Sequence, residues 1–163
     1  MTDILCKTQD LRITFPHRLG DFTAVHGFDM EVRRGEIVGL IGESGAGKST
    51  VGNAIMGLLS HPGVVSGGRI ELEGENLIDL SDAAMARLRG RRIGMIFQDP
   101  MTSLNPLMTV GDQLAESIAI LQDVPMTQAR QMASDRLDGV GIPDAANRMG
   151  QYPHEFSGDR KST

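Results

Sequence analysis

The sequence predicts an α/β domain with a helical extension, and three observations carry that expectation. Apolar and polar residues alternate with strand period in two early segments. A continuous apolar run, IVGLI at 37–41, then leads through a glycine-rich loop into a segment of helical period. After Pro106 helical spacing takes over. The 163 residues suit one domain, at roughly 100–200 residues per domain. Apolar residues make up 40% and charged residues 23%, which excludes a disordered chain. Sixteen basic against twenty-one acidic residues argue against a general nucleic-acid grip, which favours basic stripes. The single Cys6 excludes an internal disulfide framework and fits a reducing compartment. The first ten residues lack the basic start and apolar core of a signal peptide. The longest uncharged stretch, 49–68, is broken by Asn53, His61, Pro62 and several glycines, so no transmembrane helix is expected.

The elements follow in order. Leu11, Ile13 and Phe15 alternate with Arg12 and Thr14, as in a half-buried strand. Phe28, Met30 and Val32 alternate with Asp29, Glu31 and Arg33, a second strand ending at Arg34-Gly35. The run 37–41 reads as a strand covered on both faces. Val51, Ala54, Ile55, Leu58 and Leu59 recur at helical spacing until His61-Pro62-Gly63 stops the helix. Residues 69–72 form a strand turning at Glu73-Gly74-Glu75-Asn76, and Ser81 caps a short helix ending near Arg89. An apolar strand is predicted over 93–97. Helices are predicted over 110–121 and 127–140, the second with Ala129, Met132, Ala133, Leu137 and Val140 on one face. The cluster Arg87, Arg89, Arg91 and Arg92 reads as a solvated turn.

Gly42-Glu43-Ser44-Gly45-Ala46-Gly47-Lys48-Ser49-Thr50 fits the spacing G-x-x-x-x-G-K-[ST], with an apolar run before it and an amphipathic helix after it. Glycines let backbone wrap phosphate oxygens, and the helix N-terminus adds free N–H donors and a positive dipole end. Lys48 supplies a point charge to the β- and γ-phosphates of a nucleotide, and the Ser49 hydroxyl is a candidate Mg²⁺ ligand. The bland alternative is a glycine-rich turn with a solvated lysine. The loop alone does not choose among kinases, GTPases and ATPases.

Phe97-Gln98-Asp99-Pro100-Met101-Thr102-Ser103-Leu104-Asn105-Pro106 is more particular. With VGLIGESGAGKST before it and Gln151-Tyr152-Pro153-His154-Glu155-Phe156-Ser157-Gly158 after it, the chain resembles the ATP-binding subunits of ABC transporters. The likeness is to bacterial importers of dipeptides, oligopeptides or nickel, and it runs from about residue 5 to residue 158. It implies the P-loop NTPase fold of an ABC-type nucleotide-binding domain, incomplete here, with an antiparallel β part and a helical subdomain. Residues 1–100 would form the nucleotide-binding core, 101–158 the helical subdomain and 159–163 a divergent tail.

By the same resemblance, Gln98 matches the Q-loop glutamine that reaches Mg²⁺ and the attacking water, a task a neutral amide suits. Its alternative is a cap on the strand 93–97. Phe15 is the candidate for stacking on adenine, with Phe22 as runner-up; the alternative is that either fills the core. Ser157 and Gly158 match the start of the signature motif, which holds the γ-phosphate bound to the opposite subunit of a head-to-tail pair. The implied cofactors are ATP and Mg²⁺. The implied partners are permease subunits, a second ATP-binding subunit and, indirectly, a substrate-binding protein, with no nucleic acid. The implied location is peripheral, at the cytoplasmic face of the membrane.

Departures from the family pattern follow. Asp159 stands where a second glycine is expected, and Arg160-Lys161-Ser162-Thr163 does not continue the motif, as in a truncated or frameshifted end. No apolar strand ending in Asp-Glu, the Walker B element, is present; 93–97 leads instead to Gln98-Asp99-Pro100, and Asn76-Leu77-Ile78-Asp79-Leu80 is too short. The switch histidine is missing too, since His17, His26, His61 and His154 all precede its place. The chain is therefore expected to bind MgATP without turning it over, and to leave sheet edges unpaired. Two rivals stand beside this reading: a small-molecule kinase, which would need an acceptor pocket and an arginine-rich lid, and a non-catalytic module that binds nucleotide or caps a permease.

Overall fold

The computed structural model describes residues 3–98 and 103–156. Within the chain two compact units separate, Met1–Gly94 and Met95–Thr163.

The first unit is built on a four-stranded antiparallel sheet of order β2-β1-β3-β4. Its strands are β1 (Ile4–Phe15), β2 (Phe22–Arg33), β3 (Val64–Leu72) and β4 (Glu75–Asn76). The alternation in β1 decides which face is buried: Leu11 and Ile13 are fully enclosed while Arg12 between them is exposed. Leu11 lies opposite Phe28 and Ile13 opposite Val25, so the apolar residues of both strands fall on one face. Helix α1 (Lys48–Ile55) lays Val51 and Ala54 on this core, beside Ile70, Leu72, Leu77 and Met85. Each of these side chains larger than alanine contributes about 1.5–3 kcal/mol when fully buried. A single 3₁₀ turn (Leu77–Asp79) leads to α2 (Asp82–Leu88), where the Ser81 hydroxyl accepts from the Ala84 N–H at 3.3 Å. The cap read from the sequence is therefore made.

Two strands read from the sequence are not. Residues 37–41 pair with no strand among the described residues, and Ile37 and Ile41 are 98% and 94% exposed. Over 93–97 only a lone parallel bridge forms, between Arg89 and Ile93, and Ile96 is 90% exposed. The reason is physical: apolar composition says what a segment would bury, but a strand exists only by hydrogen bonding to a neighbour. Helix α1 also ends at Ile55, four positions before Leu59, because Gly57 adopts a positive φ of 61° and turns the chain.

The arginine cluster is not simply solvated. Arg89 reaches across to the end of α1, and Arg92 joins Arg34 in pairing with Glu73 while also lying 3.5 Å from Glu75. Arg92, then Arg34, hold the Glu73 carboxyl below its ordinary value of 4.5. A carboxyl lowered in the folded state contributes stability above its unfolded pKa, and that stability is lost as pH falls through the folded value. Urea titrations across the acid range are thus expected to show a falling midpoint that is shallower in Glu73→Gln. Parallel curves for the two proteins would contradict this.

The second unit contains α3 (Val110–Gln122), α4 (Met126–Gly139) and the single turns α5 (Ala145–Arg148) and α6 (Pro153–Phe156). Ala115, Ala129 and Ala133 are fully buried where α3 meets α4, so small side chains let the two helices close on one another. Thr109 caps α3 by accepting from the Asp112 N–H at 3.1 Å, and Arg130 of α4 pairs with Asp112. Val140, read as part of the apolar face, is instead the C-terminal cap residue and is 75% exposed. Among the described residues no helix is long and apolar enough to cross a membrane.

Candidate functional site

The phosphate loop lies in the first unit, at the entrance to α1. Gly45 (φ 84°) and Gly47 (φ 83°) both occupy the left-handed region, where an L side chain is strained. Gly47 also sits against β2: a Cβ there would lie 3.0 Å from the Ala24 carbonyl oxygen and 3.2 Å from Val25. The loop is thereby seated on the sheet, with the Ala46 N–H donating to the Glu43 carbonyl at 3.2 Å. Gly47 is the N-terminal cap residue of α1, and no side chain among the described residues caps the helix. First-turn amides of an α-helix have no intrahelical acceptor, so this end offers donors and a positive dipole end to an anion.

Lys48 is the first residue of α1. Its Nζ donates to the Gly42 carbonyl at 2.8 Å and the Glu43 carbonyl at 2.6 Å. The ammonium thus lies folded across the mouth of its own loop, and the remaining donor hydrogen is available to an incoming oxygen. Ser49 follows on an exposed position, as do Gly42, Glu43, Ser44, Gly45 and Ala46, while Lys48 and Thr50 are half-buried. Mg²⁺ takes few protein oxygens and completes its octahedron with phosphate and water. An exposed hydroxyl in the first turn beside a lysine fits that requirement. Among the described residues no group of three or more His, Cys, Asp or Glu converges as an alternative metal site.

The other predicted site residues fall elsewhere. Phe15, at the end of β1, is half-buried at the margin of the core, its ring against Gly63; a Cβ on that glycine would meet Phe15 Cε1 at 2.6 Å. Phe22, its partner in the β1–β2 register, is 65% exposed. Gln98 is exposed and belongs to the second unit. Ser157, Gly158 and the tail 159–163 lie outside the described residues, as does the stretch 99–102. One contact at the far end of α1 was missed: Arg89 bonds the Met56 and Gly57 carbonyls across more than thirty residues and leaves no local signal in the sequence.

An α/β unit carrying a seated phosphate loop at a helix N-terminus defines a phosphate-loop nucleotide-binding protein. Residues 25–162 match the family described as ABC transporter, and the chain belongs to that family. It is 44% identical over 156 residues to the oligopeptide transport ATP-binding protein OppD of Escherichia coli K12, covering 96% of this chain and 46% of OppD. Against the dipeptide transport ATP-binding protein DppD of the same organism, identity is 44% over 154 residues, covering 94% of this chain and 47% of DppD. The chain thus spans about half the length of the curated relatives it matches. Among solved structures, the dimeric MJ0796, a bacterial ABC transporter cassette, superposes with a TM-score of 0.79 at 23% identity, over 94% of this chain and 64% of that one. The fold is that of the ABC ATPase cassette, in part.

Proposed function

We propose that this chain is the nucleotide-binding portion of an ATP-binding subunit of an importer for peptides or related solutes. The observation that carries the reading is the phosphate loop itself. Lys48 opens α1, Gly45 and Gly47 are left-handed, and no side chain among the described residues caps the helix end. Residues 42–50 would cradle the phosphates of ATP, with Lys48 toward the β- and γ-phosphates and Ser49 toward Mg²⁺. Phe15, half-exposed at the end of β1, is assigned to the adenine, and Gln98 to the metal and the attacking water. The resemblance of the sequence to OppD and DppD supports peptide import, with transmembrane permease subunits as partners at the cytoplasmic face of the membrane. Ser157 and Gly158 are assigned to a nucleotide held by a second ATP-binding subunit, and a dimeric cassette among the structural relatives is in keeping with that pairing. A substrate-binding protein would act through the permease rather than on this chain.

The 163-residue chain binds MgATP without sustained hydrolysis, because phosphoryl transfer depends on groups that position water and metal, and the Asp-Glu pair and switch histidine of the family pattern are not among its residues. Calorimetric titration with MgATP and a phosphate-release assay test this together. Saturable binding with no steady-state release is expected. Absent binding, or release at enzymic rates that Lys48→Ala abolishes, would overturn it.

A further inference from the structure

We infer that Arg89 is a positioning residue for the phosphate loop, holding α1 from the end opposite the nucleotide; this rests on the nucleotide-binding reading above. The Arg89 Nε donates to the Met56 carbonyl at 2.8 Å and its Nη2 to the Gly57 carbonyl at 2.9 Å. These two carbonyls lie just past the last turn of α1, and that turn contains no basic residue of its own. Arg89, the extended residue that follows α2, therefore supplies both the donors and the positive charge that a helix C-terminus requires. The fit is close. Gly57 has no side chain, and a Cβ there would stand 3.0 Å from the Arg89 Nη2. Arg89 is half-buried, and its planar fork meets the two carbonyls through two different nitrogens held in one rigid geometry, which the point charge of a lysine does not supply.

The consequence for the loop follows from the length of the helix. The helix has eight residues, Lys48–Ile55, and is about 12 Å long at 1.5 Å per residue. So short a helix moves as a rigid rod. At one end it is seated where Gly47 meets the backbone at Ala24; at the other it is held by Arg89. Release of the far end lets the rod tilt about the near seat, which re-aims the amides of Lys48 and Ser49 and the Lys48 ammonium. Small misplacements of positioned groups are costly where several donors must converge on one anion.

The test compares wild-type chain, Arg89→Ala and Arg89→Lys by MgATP calorimetry, thermal unfolding and amide spectra of isotope-labelled protein. Arg89→Ala is expected to bind MgATP about fivefold more weakly at a temperature where it is fully folded, with Arg89→Lys in between, since it keeps the charge but not the fork. The free-state amide resonances of Gly47, Lys48 and Ser49 are expected to shift in Arg89→Ala. A lowered unfolding temperature with unchanged affinity and unmoved loop resonances would make Arg89 merely structural and overturn the inference. If Arg89→Ala does not fold, Arg89→Lys decides: wild-type affinity and loop resonances overturn it, and weaker binding with shifted resonances supports it. Failure of the wild-type chain to bind MgATP would instead sink the nucleotide-binding reading, and this inference with it.

Discussion

Lys48→Ala is expected to weaken MgATP binding about a hundredfold, since truncating one partner of a desolvated charge pair costs about 2–5 kcal/mol. The structure explains why the loss should be large. The Nζ rests on the Gly42 and Glu43 carbonyls and so is held over the loop before any ligand arrives, which reduces the ordering cost of binding. The same geometry predicts little effect on folding, because those contacts stay within the loop and its carbonyls are exposed to water in the variant. Calorimetry and urea unfolding on the two proteins separate the effects. An affinity within threefold of wild type would show that the loop does not hold the phosphates through this lysine.

Gly68→Ala is expected to be the most damaging small substitution in the sheet, costing about 3 kcal/mol or more. Two demands coincide at this position. Gly68 has φ 83°, and a Cβ there would fall 2.3 Å from the Asp10 carbonyl oxygen and 2.4 Å from that of Gln9. Both obstacles are backbone, so no rotamer change relieves them. The site is an irregularity in the β1–β3 pairing between Gln9 and Arg12, where Asp10 itself has φ 46° and donates its N–H to the Asp29 carboxylate at 2.8 Å. Neighbouring Gly67 is a control. A Cβ there meets only the Arg12 side chain, at 3.5 Å or beyond, so Gly67→Ala is expected to change stability by less than about 1 kcal/mol. Equal unfolding midpoints for the two variants would contradict the clash argument.

The geometry of the loop-to-helix junction was legible in advance because the relevant physics is local. The spacing of Gly42, Gly47, Lys48 and Ser49 marks a loop-to-helix junction wherever it occurs, and the structure places Lys48 at the first position of α1. Ser81 was legible as a helix cap for the same reason, since a cap bonds to an amide three residues ahead. Alternation in β1 and β2 showed which side chains would be buried. Arg89 was not legible. Its acceptors, Met56 and Gly57, are more than thirty residues away, and nothing near Arg89 distinguishes it from Arg87.

The apolar runs at 37–41 and 93–97 divide the two kinds of information most clearly. Their composition marks chain that gains by burial, yet Ile37, Ile41 and Ile96 stand almost fully exposed in the structure. The sequence by itself determined what depends on neighbours along the chain: the phosphate loop, the helix caps, the face each strand turns to the core. Only the tertiary structure decided which segments become strands, which glycine faces a carbonyl and which arginine closes a helix. A ladder, a clash or a distant hydrogen bond needs a partner that the local pattern does not contain.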